Sequence, residues 1–246
     1  MTDRFLLSSP RLKARLAGVC YLMTIGVGAF DHVFVGRRLV DPGDAAATVH
    51  NILASEPLYR AAFAADLIPV YIVVTALFYD LFKPVNETLS RLAAFASLVG
   101  GAVGSAICLF QLSPLVVMGG GTSTGALGLG QLQALTLIFL RFYDVGFTVS
   151  LVFFGVYCAL IGWLIVGSTF MPRLVGALMI VGGLAYMTYS FTDFISPSLA
   201  ARLASPAMML GGLGEAVLTL WLLLVGVNAG KWSQQARRQR EAANAV

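Results

Sequence analysis

The sequence predicts an all-α integral membrane protein, a bundle of six transmembrane helices with both ends in the cytoplasm. Three observations lead to this prediction. The 246 residues are 58% hydrophobic and 11% charged, whereas soluble domains carry about 25% charged residues. Six apolar stretches reach the roughly 20 helical residues that cross a bilayer. Lys and Arg are concentrated in alternate connections, as the positive-inside rule describes.

The spans are predicted at about 16–35, 61–82, 92–118, 144–166, 174–195 and 207–227, within a single membrane domain. They lack the alternation of barrel strands, so helices are the remaining way to satisfy the backbone in lipid. The basic start and apolar run of the first span are also typical of a signal peptide. Because no small-residue cleavage site follows, we expect an uncleaved span.

Orientation follows from Lys and Arg, of which eleven fall on the predicted inner side and four on the outer side. Residues 1–13 and 231–246 are therefore predicted inside, and residues 40–58 and 120–130 outside. The basic tail at 229–246, which includes Trp232, is expected to lie on anionic lipid.

The connections add two local predictions. At 44–55 an amphipathic helix is predicted, because Asp44 is a candidate N-cap and Val49, Ile52 and Leu53 form an apolar stripe ahead of Pro57. We expect it to pack on the mouth of the bundle; a helix on the membrane or over a cavity is the alternative. Residues 131–142 continue the helical pattern into the fourth span. The combined helix would be about 54 Å long, so we expect a break near 143–146.

A threefold repeat is a further hypothesis. An Arg-Leu pair opens each odd-numbered span, and each even-numbered span carries one acid in or near its outer half. This pattern indicates three repeated helical hairpins, as in membrane carriers. Abundant leucine and the positive-inside rule would also produce it. The residues concerned are Arg15, Arg91 and Arg173, and Asp66, Asp144 and Glu215.

Charged side chains inside a bilayer are energetically costly and mark functional sites or ion pairs. In this chain they fall in the predicted outer halves of the spans or near the midplane, so we expect them to converge on an acidic, outward-facing pocket. The primary candidates for ligand binding or proton exchange are Asp66, Arg141, Asp144 and Glu215, and the secondary ones are Asp31, His32, Tyr143, Asp193 and Gln111.

The charge balance of this zone predicts its ligand. Five acids face one permanent cation, Arg141, with His32 as the other base, so the remaining acids must hold protons, meet solvent or bind a cation. This favours small-solute binding or transport linked to a proton or cation, with a small cationic or amphiphilic ligand. Glu215 lies deepest, 13 residues after Arg202 and 16 before Lys231. We expect it to be the proton-exchanging residue.

Two alternatives stay open: a structural or sensory membrane partner, and a membrane-embedded enzyme whose metal would be held by His32, Asp66, Asp144 and Glu215. The second lacks an HExxH motif or paired histidines on a helix. No catalytic residue is assigned and no cofactor is expected. The basic residues are dispersed between apolar runs, which does not fit nucleic-acid binding. Beyond the lipid bilayer no partner is predicted, and the oligomeric state is open.

Several short stretches carry a family resemblance: ARLAG at 14–18, KPVN at 83–86, LVFFG at 151–155, IGWLI at 161–165, MPRLVG at 171–176, GE at 214–215 and LWLL at 220–223. Over nearly its whole length the chain resembles the bacterial membrane-protein family filed as domain of unknown function 4386. The resemblance implies a bacterial multi-pass membrane protein, and it supplies no catalytic residue or substrate. We expect the protein to lie in the inner membrane. Gly211, Gly212 and Gly214 depart from the family pattern and predict an irregular helix before Glu215.

Overall fold

The computed structural model describes residues 9–36, 38–66, 70–119 and 127–244. Of the residues that the structure describes, 88% are helical and none lies in a strand. The helices are α1 (Pro10–Phe30), α2 (Ala45–Ala54), α3 (Glu56–Asp66), α4 (Val70–Phe82), α5 (Glu87–Gln111), α6 (Ser113–Met118), α7 (Leu129–Gly167), α8 (Arg173–Ile195), α9 (Pro197–Leu224) and α10 (Ala229–Asn244). A π-helical segment, Asp31–Gly36, continues α1.

Six helical stretches of the described chain are long and apolar enough to cross a membrane, which confirms the predicted fold class. They are Pro10–Gly36, Glu56–Phe82, Glu87–Met118, Leu129–Gly167, Arg173–Ile195 and Pro197–Leu224. Residues 67–69, within the second stretch, lie outside the described residues. The sidedness of the helices and the three-hairpin repeat stay predictions.

The surface of the helices is apolar, as lipid contact requires. Leu109, Leu174 and Met209, for example, are each about 70% exposed. A soluble monomer rarely presents large contiguous apolar areas to water. In a bilayer the same side chains meet acyl chains, so the surface agrees with the length and composition of the spans.

The predicted break near 143–146 is wrong. Helix α7 runs without interruption for 39 residues, about 58 Å at the usual rise. It contains no proline, and Gly146 serves packing instead of breaking the helix: a Cβ there would overlap the side chain of Ile107 on α5. A helix this long exceeds the hydrocarbon thickness, so part of it must extend beyond the hydrocarbon or the helix must tilt.

Helix α9 also differs from the sequence prediction. It begins at Pro197, ten residues before the predicted start of the sixth span, and includes Pro206 in its interior. The glycines before Glu215 do not make the helix irregular, because two of them lie against neighbouring groups of α8. The helix ends at Leu224, and Gly226 follows its C-cap: the φ of 74° suits glycine, and the Gly226 N–H donates to the Trp221 carbonyl at 2.8 Å.

The described chain divides into two compact units. The first comprises Met1–Leu22, Val70–Gly101 and Val149–Val246, apart from residues outside the described ranges. Within it, α7 and α8 approach at two glycine pairs. A Cβ on Gly183 would lie 2.5 Å from the Gly155 carbonyl oxygen, and one on Gly176 would lie 2.5 Å from the Gly162 carbonyl oxygen. Only glycine permits this backbone contact, which is a common device of membrane helices.

The second unit comprises Met23–Pro69 and Ala102–Thr148, again apart from residues outside the described ranges. Its core includes Ile52 of α2 and Tyr59 of α3. The predicted amphipathic helix is confirmed as α2: Asp44 accepts from the Ala47 N–H at 2.9 Å, and Val49 is buried. Leu53, predicted on the same stripe, is 40% exposed. The helix therefore packs on the protein, as expected. Residues 120–126 of the other predicted outer connection lie outside the described residues.

The basic tail forms α10, which belongs to the first unit and packs against its other helices through polar contacts. The Trp232 indole N–H donates to the Leu81 carbonyl at 2.8 Å, and Gln235 accepts from the Thr169 N–H at 3.0 Å. These contacts fix the helix while Lys231, Arg237 and Arg238 stay exposed. Its contact with anionic lipid stays a prediction.

Candidate functional site

The deepest acid of the sequence is buried in the first unit and held by two tyrosines. Glu215, on α9, is 9% exposed. The Tyr186 hydroxyl of α8 donates to its Oε1 at 2.6 Å, and the Tyr21 hydroxyl of α1 donates to its Oε2 at 3.1 Å. No ion pair involves Glu215 among the described residues. Three membrane-spanning helices therefore meet at one carboxyl group.

Glycine at position 211 makes this meeting sterically feasible. Gly211 precedes Glu215 by one helical turn and lies on the same face of α9. A Cβ at this position would overlap the ring of Tyr186, so the absence of a side chain leaves the space that the ring occupies. The Tyr186 hydroxyl can then reach the carboxyl one turn farther along.

Aromatic rings surround the carboxyl. Tyr21 packs against Phe78 with ring centroids 5.8 Å apart, and Phe154 packs against Tyr186 at 5.7 Å. Tyr157 joins the two pairs, at 6.4 Å from Phe78 and 5.8 Å from Phe154. Ring faces carry partial negative charge and attract cations. We call these five rings the aromatic wall. The wall and the Glu215 carboxylate both favour a positively charged ligand.

Buried hydroxyls near the wall lack hydrogen-bond partners among the described residues. They belong to Tyr157, Ser190 and Thr219. Ser190 follows Tyr186 by one turn, and Thr219 follows Glu215 by one turn. Nearly all buried polar groups in proteins are satisfied. A group of unsatisfied hydroxyls beside a buried carboxyl is typical of a site that receives a proton, water or a polar ligand.

A second polar cluster lies in the second unit and centres on Asp31. The Gln111 side-chain N–H donates to its Oδ1 at 2.7 Å, and the Tyr143 hydroxyl donates to its Oδ2 at 3.2 Å. The Tyr59 hydroxyl donates to the backbone carbonyl of Gln111. Asp66, which is half-buried, lies within electrostatic reach of Asp31. Asp31, Asp66, Gln111 and Tyr143 are therefore brought together.

The family model described as Domain of unknown function (DUF4386) matches residues 16–226. The chain belongs to this family. The match includes Glu215, Tyr21 and Tyr186, as well as the cluster around Asp31. No curated protein and no solved structure matches the chain.

Other predicted site residues of this DUF4386 protein lie elsewhere. Arg141 is exposed and makes no ion pair or hydrogen bond with another described residue. Asp144 is exposed, and its backbone carbonyl accepts from the Thr148 hydroxyl at 3.2 Å. Asp193 is half-buried near the end of α8. The side chain of His32 lies outside the described part of the chain. Glu215 belongs to the first unit, whereas Asp66, Arg141 and Asp144 belong to the second.

Sequence reasoning missed the two tyrosines that bind Glu215. Tyr21 is 194 residues away from it and Tyr186 is 29 residues away, and spacing alone does not pair side chains on different helices. One signal was available: a glycine one turn before a buried acid leaves room for a large side chain from a neighbouring helix. We interpreted Gly211 as a sign of helix irregularity instead.

The described residues include no group of three or more His, Cys, Asp or Glu side chains that could hold a metal ion. Cys108 and Cys158 are buried free thiols, and Cys20 is partly buried. The chemistry that the first unit offers is therefore a single carboxyl among tyrosine hydroxyls and aromatic rings. Such a group binds or releases a proton and attracts a cation.

Proposed function

We propose that this protein binds a small cationic solute at Glu215 in exchange for a proton, and so carries out proton-linked binding or transport in the bacterial inner membrane. The proposal rests on one observation above all: a carboxyl group lies buried in a membrane-spanning helix with two tyrosine donors and no ion pair to a described residue.

The energetics of a buried carboxyl support exchange. An isolated charge in a low-dielectric interior is costly, so the group holds a proton or takes up an external cation. The Tyr21 and Tyr186 donors stabilise the carboxylate without neutralising it. Both states are therefore accessible, and a proton and a cationic solute compete for the same two oxygens.

The surroundings of Glu215 suit an organic ammonium ion. Aromatic faces bind quaternary ammonium groups, and the rings of Tyr21, Phe78, Tyr157 and Tyr186 lie around the carboxyl. The Tyr157 hydroxyl, which has no hydrogen-bond partner among the described residues, adds a polar contact for a solute or for ordered water. The carboxylate, the aromatic faces and the hydroxyl together predict a small cation with an apolar exterior.

A specific observation also favours a second candidate function. The two tyrosine hydrogen bonds connect α1, α8 and α9 through a single side chain. Polar contacts of this kind hold membrane helices together, at about 1–2 kcal/mol or less each. In that case Glu215 is a structural element of a membrane partner protein, and no solute binds there.

Binding of tetramethylammonium to the full-length protein in nanodiscs distinguishes the two functions. We expect isothermal titration calorimetry to detect binding that weakens as the pH falls, by up to about tenfold per pH unit once the carboxyl is protonated. Glu215→Gln keeps the hydrogen-bonding shape and removes the exchangeable proton. It should abolish the binding. Glu87→Gln is the matched control, because Glu87 is exposed and pairs with Arg91 at 2.9 Å.

The variants separate function from folding. If Glu215 exchanges a proton, Glu215→Gln unfolds at a temperature close to that of the native protein and no longer binds tetramethylammonium. If Glu215 is structural, Glu215→Leu lowers the unfolding temperature strongly, and Glu215→Gln behaves as the native protein does. Tetramethylammonium affinity that is independent of pH and unchanged in Glu215→Gln would reject the exchange.

A further inference from the structure

Two membrane-spanning stretches contain a discontinuity in the second unit, and each discontinuity carries an oxygen-bearing side chain. Helix α1 changes to π-helical geometry at Asp31. Helix α5 ends at Gln111, and α6 starts two residues later at Ser113. Discontinuous membrane helices and π-helical turns are both common at ion and substrate sites.

The end of α5 favours positive charge. Helix α5 ends at Gln111, and the last carbonyl groups of a helix have no partner within it. They form the negative end of the helix dipole, which attracts cations. One carbonyl of this kind, that of Gln111, accepts from the Tyr59 hydroxyl and is thereby fixed in place.

The Gln111 side chain supplies the independent observation that points to a ligand. It is 1% exposed, its N–H donates to Asp31 at 2.7 Å, and its Oε1 is buried without a hydrogen-bond donor among the described residues. The assignment of the two amide atoms follows from the carboxylate, which accepts from N–H and would repel the amide oxygen. Because the two amide atoms are about 2.3 Å apart, Oε1 lies within about 5 Å of Asp31 Oδ1.

We propose that Asp31, Asp66 and the Gln111 side-chain oxygen bind a hard divalent cation of the Ca²⁺ class. All three ligands are oxygens, and Ca²⁺ prefers carboxylates and carbonyl oxygens in an adaptable geometry. Two carboxylates balance a double charge. The Tyr143 hydroxyl orients Asp31 by donating to its other oxygen at 3.2 Å. Asp31 and Asp66 are half-buried, and Gln111 is buried.

This site uses none of the residues at Glu215 and goes beyond the proposed function. With few protein ligands, its affinity should resemble that of weak extracellular calcium sites, with a Kd on the order of 1 mM. It would make the stability of the second unit depend on divalent cations, independently of any solute at Glu215.

Calcium titration of the full-length protein tests the site. After treatment with a chelator, the protein in phosphatidylcholine nanodiscs is titrated with CaCl₂ by calorimetry, with MgCl₂ and NaCl as parallel arms. Asp66→Asn removes one carboxylate, and Gln111→Met removes the amide oxygen at similar volume. Each should raise the Kd for Ca²⁺ by about tenfold or more. Asp193→Asn is the matched control, because Asp193 is a half-buried acid at the end of another span.

The outcomes are unambiguous. Calcium binding that is retained in Asp193→Asn and in Glu215→Gln, and weakened in Asp66→Asn, supports the site even if Gln111→Met does not fold. Absence of binding at about 10 mM CaCl₂, tenfold above the expected Kd, overturns it. Equal affinity in Asp66→Asn and the native protein, or a response to NaCl alone, overturns it as well. Because Glu215→Gln is one of the controls, failure here is distinguishable from failure of the proposed function.

Discussion

Substitution of Gly211 by alanine should disrupt the contact between Tyr186 and Glu215. The new methyl group would overlap the Tyr186 ring, which packs against α9 at this position. The ring must move, and its hydroxyl then loses the 2.6 Å hydrogen bond to Glu215. Overpacking costs about 1–3 kcal/mol, and a hydrogen bond to a charged group contributes about 1.5–3 kcal/mol. Alanine restores about 1 kcal/mol of helix propensity.

The net expectation for Gly211→Ala is a loss of roughly 2–5 kcal/mol in the free energy of unfolding, from the combination of these effects. Gly212→Ala is the matched control, because among the described residues no neighbouring side chain or helix lies within 4 Å of a Cβ at that position. It should be neutral or stabilise α9 by up to about 1 kcal/mol. Both free energies can be measured by titrating the protein in mixed micelles with denaturing detergent. Equal stability of the two variants would refute the placement of Tyr186 against Gly211.

Three further predictions concern helix packing, helix capping and the orientation in the membrane. Gly183→Ala should destabilise the α7–α8 packing by about 1–3 kcal/mol, because the new Cβ would lie 2.5 Å from the Gly155 carbonyl oxygen; an unchanged unfolding temperature would contradict this close approach. Asp44→Ala should cost about 1 kcal/mol by removal of the α2 N-cap, measurable by the same detergent titration, and Asp44→Asn should preserve most of it. In intact cells, a cysteine at Ala47 should react with an impermeant thiol reagent and one at Ser233 should not, in a background without native cysteines; the reverse labelling would overturn the predicted orientation.

The membrane spans could be predicted from the sequence because the pattern that identifies each span lies within the span itself. An apolar run of twenty residues, bounded by charge, identifies a membrane helix wherever its neighbours lie. The same local reasoning failed at Gly146 and Gly211, where glycine looked like a helix breaker. Both glycines stay helical because a side chain of an adjacent helix, Ile107 or Tyr186, occupies the space beside them. Whether a glycine ends a helix or admits a neighbour depends on tertiary packing.

The candidate site was predictable in part. The burial of Glu215 follows from its distance to the ends of the span, and the structure places it at 9% exposure. Its partners did not follow, because the pairing of Glu215 with Tyr21 depends on which helices are adjacent. Arg141 was the natural candidate for a counter-charge by composition. It lies on the exposed surface of α7 instead, so the buried carboxyl is stabilised by neutral hydroxyl donors.

Infrared difference spectroscopy on the full-length protein tests proton exchange at Glu215 most directly. At a pH low enough to protonate the carboxyl, addition of tetramethylammonium should remove the carbonyl stretch of one protonated carboxyl and produce a carboxylate band. The same addition to Glu215→Gln should leave both spectral regions unchanged. A carboxyl band that persists in the native protein at saturating tetramethylammonium, or one that disappears equally in Glu215→Gln, would contradict exchange of a proton for a cation at this residue.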